Sequence, residues 1–129
     1  VSVEITYGLE RICMFTQQKK NVFDLIWNNE NIEYREVFYQ SEKEFSAYNF
    51  EHANTKNLFM MFDMFESEAK SLVEKKLSLP SYDQCLKASH VFNILDARGA
   101  ISVAQRAEYI SRIREITKSA ASIWIDTQI

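Results

Sequence analysis

Glycine and proline are scarce: Gly8, Gly99 and Pro80 are the only ones in 129 residues. So few turn formers argue against a turn-rich β fold and favour helix. Cysteine is equally rare. Cys13 and Cys85 lie far apart without the spacing of metal ligands, so a disulfide framework or a cysteine zinc site has no basis and two reduced packing thiols are expected. His52 has no second ligand near it in sequence and reads as a surface or capping histidine. No run of about 18 apolar residues exists, so neither a membrane partner nor a signal sequence ahead of the domain is expected. The net charge of −3 gives no global nucleic-acid footprint; any RNA contact has to come from a local basic face.

What is present is apolar residue: 47% of the chain, enough for one domain with a core. The stretch that organises it runs from Val1 to Phe15. Val1, Val3, Ile5 and Tyr7 alternate with Ser2, Glu4 and Thr6, the period-two pattern of a half-buried strand. Gly8 ends that pattern, and Leu9 to Phe15 read as the first turns of a helix. Such a junction aims unpaired N–H groups beyond the strand end, where an anion is favoured. Arg11 adds a planar fork of donors suited to phosphate oxygens. Glu10, in the first turn, is placed to orient Arg11 or a neighbouring strand. The same spacing also fits an ordinary strand-to-helix junction with a solvated Glu-Arg pair.

The first helix is expected from Leu9 to Gln18, closed by Lys19-Lys20-Asn21 with Asn21 as a left-handed cap. Val22 to Trp27 fits either a helical turn or a buried extended piece, and Asn28 to Asn31 is a turn. Ser41 and Glu44 form a capping box that starts a helix running to Asn49. The aromatic residues Tyr34, Phe38, Tyr39, Phe45, Tyr48 and Phe50 lack interleaved basic residues, so core packing is expected rather than base stacking. Asn54 and Thr55 open the strongest helix, with Leu58, Phe62, Phe65, Ala69 and Leu72 inward and Glu66, Glu68, Lys70, Glu74 and Lys75 on the wet face. Pro80 suits the start of the next helix, which carries Tyr82, Cys85, Leu86, Ser89, Phe92 and Leu95 inward. His90, Asn93, Asp96 and Arg98 are expected to form a polar network around the Gly99 turn. Ser102 and Gln105 form a second capping box for a last helix, whose Arg106, Arg112, Arg114 and Lys118 are spread around it. Phe59, Phe62, Phe65, Phe92 and Trp124 are expected to supply most of the core.

Glu4-Ile5-Thr6-Tyr7-Gly8-Leu9-Glu10-Arg11 resembles motif 3 of the class II aminoacyl-tRNA synthetases, and more narrowly the α subunit of the bacterial two-subunit glycyl-tRNA synthetase. Tyr48-Asn49-Phe50-Glu51 and the run from Phe92 to Val103 resemble the C-terminal half of that subunit. The resemblance implies activation of glycine by ATP and transfer to tRNA(Gly), with Arg11 gripping the γ-phosphate and lying against the adenine. It implies that Gly8 contributes to the ATP and glycine sites, that Glu4 binds the α-ammonium of glycine, and that Glu4 and Thr6 fill the space a larger side chain would need. Many class II enzymes have glycine at these two positions, whereas single-subunit glycyl enzymes have Glu and Ser. Magnesium accompanying ATP, a β subunit, a second α subunit in an α2β2 assembly, tRNA(Gly) and a cytoplasmic setting are implied in the same way.

The expected fold is therefore mainly α: a short N-terminal strand remnant of a class II catalytic sheet followed by a helical bundle. Residues 1–20 are expected to carry motif 3 and residues 21–129 to form a C-terminal helical domain. Because the chain begins in mid-strand without Met, it reads as a C-terminal fragment, inactive alone since nothing resembles motifs 1 and 2. Two other readings differ in kind. A stand-alone helical interaction module predicts that Val1 to Tyr7 pair inside the domain. A non-catalytic RNA-binding domain needs the C-terminal basic residues to converge on one surface, which their spacing disfavours.

Overall fold

The computed structural model describes residues 3–127. It is mainly helical: α1 spans Leu9–Thr16, α2 Tyr34–Ala47, α3 Thr55–Glu74, α4 Ser78–Ala97 and α5 Val103–Thr127. The packing divides it into two compact units, residues 1–47 and 48–129.

In the first unit, α1 ends through Gln18, which takes the left-handed conformation (φ 53°) expected of Asn21. Asn21 instead caps a 3₁₀ turn over Val22–Asp24, its side chain accepting from the Phe23 N–H. The chain then extends. Ile26 and Glu33 form an antiparallel bridge, the only one among the described residues, and the Asn28 side chain closes the intervening turn by accepting from the N–H groups of Glu30 and Ile32. Gln17 acts as a substitute strand on the other side of Ile26: its amide accepts from the Ile26 N–H at 2.8 Å and donates to the Ile26 carbonyl at 3.0 Å. The ambiguous Val22–Trp27 run thus divides between a helical turn and an extended piece. The predicted start at Ser41 is wrong, because α2 begins at Tyr34, where the Glu36 carboxylate accepts from the Glu33 N–H. Glu44 bonds Gln40 rather than serving a capping box.

Val3, Ile5 and Tyr7, the described apolar half of the alternating stretch, are exposed, and among the described residues this segment has no strand partner. Val1 and Ser2 lie outside the described residues.

The second unit is a three-helix bundle with α4 between α3 and α5. Short connections force antiparallel neighbours. Accordingly Ser81, early in α4, donates to the carbonyl of Ala69, late in α3, while Ser78 donates to that of Ala120, late in α5. The core is built on Leu58, Phe62, Val91, Phe92, Ile94, Leu95 and Tyr109. Where α4 meets α3 lower in the bundle, the residues these two helices bury are small, Ala69, Ser81, Cys85 and Ala88, with Ile116 of α5 packed on Ala69 and Cys85. Small side chains let backbones approach, so the buried face of α4 is rotated from the one expected. Tyr82 and Leu86 are exposed. Trp124 is also 45% exposed and is no core anchor, while Phe59 and Phe65 pack at the core's edge.

Glu66, expected on the wet face, is only 7% exposed. Arg112 explains it. The Arg112 Nε donates to both Glu66 carboxylate oxygens at 3.0 and 3.1 Å, a terminal nitrogen also contacts Glu66, and that nitrogen donates to Asp63 at 2.8 Å. Its guanidinium lies 4.6 Å from the Phe62 ring centroid and 4.9 Å from that of Tyr109. Lys70 closes the network on Glu66 at 3.0 Å. The Arg112 hydrogen bonds hold the Glu66 carboxyl below its ordinary value despite burial.

In the second unit the caps read from sequence are present. Asn54 accepts from the Asn57 N–H, Pro80 sits in the first turn of α4, and Ser102 and Gln105 exchange both bonds of a capping box. Gly99 is left-handed (φ 63°) and its N–H closes on Asp96. The predicted polar cluster there does not form as one network: Asp96 pairs with Arg106, Arg98 donates to the Phe50 carbonyl, and His90 and Asn93 are exposed.

Candidate functional site

The segment entering α1 carries the four residues singled out by sequence: Glu4, Thr6, Gly8 and Arg11. Gly8 is the N-cap, with φ 75° and ψ 128°. That backbone is strained for any residue with a Cβ, although only Glu10 Oε2, 4.0 Å away, lies near the place a Cβ would occupy. No side chain caps the first turn. Its N–H groups therefore stay available, with the partial positive charge of the helix end behind them. Arg11, in the same turn, is exposed and has no ion-pair partner among the described residues.

Alternation along the extended segment places Glu4 and Thr6 on one side, and their side chains meet: the Thr6 hydroxyl donates to a Glu4 carboxylate oxygen. Thr6 also lines a shallow groove with Tyr7, Arg11, Ile12 and Phe15. Thr6 thus touches a carboxylate on one side and shares a groove with a guanidinium on the other. A carboxylate steadied by a hydroxyl suits an ammonium group, and a free guanidinium at a helix N-terminus suits phosphate.

Glu10 does not pair with Arg11 among the described residues. It faces Tyr34, whose hydroxyl is shifted upward by burial and by the carboxylates of Glu10 and Glu42. Sequence spacing gave no sign of this grouping, because Tyr34 and Glu42 belong to α2 and Glu10 to α1. Cys13 and Cys85 are free thiols; Cys85 is buried with its sulfur 3.3 Å from the Thr117 hydroxyl. Among the described residues no three His, Cys, Asp or Glu side chains converge as a metal site, and no helix is long and apolar enough to cross a membrane. Arg106 and Arg112 are engaged in ion pairs with Asp96 and with Glu66 and Asp63, respectively.

The class of protein is that of a synthetase subunit: one family model, that of an aminoacyl-tRNA ligase component, spans residues 1–129, the whole chain. Its description is glycyl-tRNA synthetase alpha subunit, and the chain belongs to that family. The family is one of ligases that use ATP and act in protein biosynthesis, and an alpha subunit implies a beta subunit and tRNA as partners.

Proposed function

We propose that the chain supplies the motif 3 contacts of a glycine–tRNA ligase, which activates glycine with ATP to glycyl-adenylate and transfers the glycyl group to tRNA(Gly). The carboxylate oxygen of glycine attacks the α-phosphorus of ATP, and the bond to pyrophosphate breaks. Negative charge grows on the departing pyrophosphate, and the Arg11 guanidinium offsets it at the γ-phosphate while lying against the adenine. A fixed cation does so without reorganising during the reaction. Gly8 lets the backbone come close to both substrates. Glu4 binds the α-ammonium of glycine, and Glu4 and Thr6 together occupy the volume that a side chain on the substrate would need. Added bulk rejects alanine more strongly than any reward for the absence of a methyl group can. Magnesium, expected with ATP in this family, neutralises phosphate charge when bound; the residues above act independently of its placement.

The observation that carries this reading is the contact of Thr6 with Glu4 on a segment that turns at Gly8 into the helix bearing Arg11. Residues 1–20 are then the motif-bearing remnant of a catalytic domain and residues 21–129 the helical domain for subunit or tRNA contact. The enzyme is a cytoplasmic α2β2 assembly, and this chain alone is inactive. The rival reading, a helical interaction module without catalysis, predicts an internal partner for the N-terminal segment, and among the described residues 3–7 have none. Glycine-dependent ATP–pyrophosphate exchange by the complete alpha subunit with its beta subunit tests the proposal. Exchange that needs glycine supports it, and none under any condition overturns it.

A further inference from the structure

The first unit contains a cleft of about 420 Å³ that the proposed chemistry does not use. One wall is aromatic. The rings of Trp27 and Phe38 meet edge-on with centroids 5.2 Å apart, and Tyr34 packs on Phe38 at 4.6 Å and on Trp27 at 6.0 Å. The floor includes Leu25, the one buried residue of this unit among those described. The polar wall carries two carboxylates, Glu10 from α1 and Glu42 from α2. Among the described residues neither takes part in an ion pair, whereas the nearby Arg35 is spent on Asp24 and Glu33. Burial first, and then both carboxylates, push the Tyr34 hydroxyl upward. Trp27 keeps 55% of its surface exposed, so its ring is accessible.

These features select their occupant by charge. An anion would be repelled by two carboxylates. An apolar side chain would strip water from them and return nothing, at a cost. A cation on a flexible apolar stem meets both demands: the stem lies along the aromatic wall, and the charged head reaches Glu10 and Glu42. A guanidinium does so best, since its plane stacks on aromatic faces and its fork matches a carboxylate.

We infer that the cleft between α1 and α2, walled by Trp27, Tyr34 and Phe38 and faced by Glu10 and Glu42, receives an arginine or lysine side chain of a protein partner. Taking that partner to be the beta subunit rests on the alpha-subunit reading; the chemistry of the cleft does not. The site is a place where the partner anchors behind the motif 3 helix, apart from Glu4, Thr6 and Arg11.

The test has two arms. In the first, a Trp124→Phe background leaves Trp27 as the sole tryptophan, and its fluorescence is followed while Nα-acetyl-arginine amide is added. The uncharged isostere Nα-acetyl-citrulline amide is the control. A saturable change with the arginine probe and none with citrulline is expected. In the second arm, association of the complete alpha subunit with the beta subunit is measured for Glu42→Gln and Glu42→Lys. Glu42 is an exposed α2 residue outside the proposed catalytic groups, so both variants should fold, and a thermal melt checks this. Association about tenfold weaker for Glu42→Gln and weaker again for Glu42→Lys is expected. Equal responses to the two probes, or association unchanged in both variants, overturns the inference. Absence of glycine-dependent pyrophosphate exchange in the parent assembly, with association that still depends on Glu42, would instead contradict the proposed chemistry and leave this site standing.

Discussion

The Thr6 hydroxyl donates a hydrogen bond to the Glu4 carboxylate, so the two side chains that the proposed function sets against a substrate side chain are tied to one another. A locked pair rejects bulk more sharply than two free rotamers do. Thr6→Gly in the complete subunit should open the space and free Glu4, relaxing discrimination against alanine. Rejection by bulk exceeds the roughly tenfold that a methyl group is worth at the least in an apolar pocket, so the glycine-to-alanine ratio of kcat/KM should fall by about tenfold or more. An unchanged ratio would remove Thr6 from specificity. Thr6→Ser, which keeps the hydroxyl, should retain most of the discrimination.

Glu66 and Arg112 give a pH prediction with a definite sign. The Glu66 carboxyl is held below its ordinary value of 4.5 when folded. Its contribution to stability is therefore complete above the unfolded value and is lost as pH falls through the lower folded value. Arg112 stays charged throughout and adds no slope. Glu66→Gln should lower stability by about 2 kcal/mol near neutral pH, since it leaves a half-buried guanidinium short of its main partner. The gap to the parent should narrow on acidification below about pH 4.5. Denaturant melts at a series of pH values would show it; a gap that stays constant down to pH 2 would contradict the account.

What sequence could and could not show follows from the range of each interaction. The Ser102–Gln105 box, the Asn54 cap, Pro80 in the first turn and Gly99 at the helix stop are all settled within about four residues of chain, and each is where spacing places it. The Gly8 junction was legible for the same reason. Glu66 was misplaced because its partner is a residue of another helix, and a carboxylate between apolar residues otherwise signals a wet face. Tyr82 and Leu86 are exposed because α4 turns Ser81, Cys85 and Ala88 inward, where small side chains let its neighbours come close, a rotation that spacing along α4 alone does not encode. The Tyr34–Glu10–Glu42 grouping depends on how α1 and α2 are set on either side of the Leu25–Trp27 segment, and no periodicity encodes that.

Two aromatic substitutions separate core from surface. Phe62 is fully buried, touching Tyr109 at a centroid distance of 4.6 Å, and Phe62→Ala should cost about 3–5 kcal/mol. Trp124 is nearly half exposed at the end of the bundle, and Trp124→Ala should cost about 1 kcal/mol. Equal losses in thermal or denaturant unfolding would show that Trp124 anchors the core after all.

At Gly99 the left-handed backbone (φ 63°) is demanded by the turn, with nothing within 4 Å of an added Cβ. The penalty of a side chain there is conformational alone. Gly99→Ala should lower stability by about 1 kcal/mol, and Gly99→Asn by less, since asparagine tolerates this region. A larger loss for Asn than for Ala would point to a steric cause instead.

The central claim is that Arg11 stabilises charge on ATP rather than the fold, and its exposure without an ion-pair partner among the described residues makes the two separable. The direct measurement is glycine-dependent ATP–pyrophosphate exchange by the complete alpha subunit with its beta subunit, comparing Arg11→Ala with the parent and recording the thermal midpoint of each. Loss of one donor to developing negative charge is worth roughly 100- to 1,000-fold, so exchange should fall at least that far while the midpoint stays within about 1 °C. Exchange that survives Arg11→Ala, or a loss matched by unfolding, would contradict it.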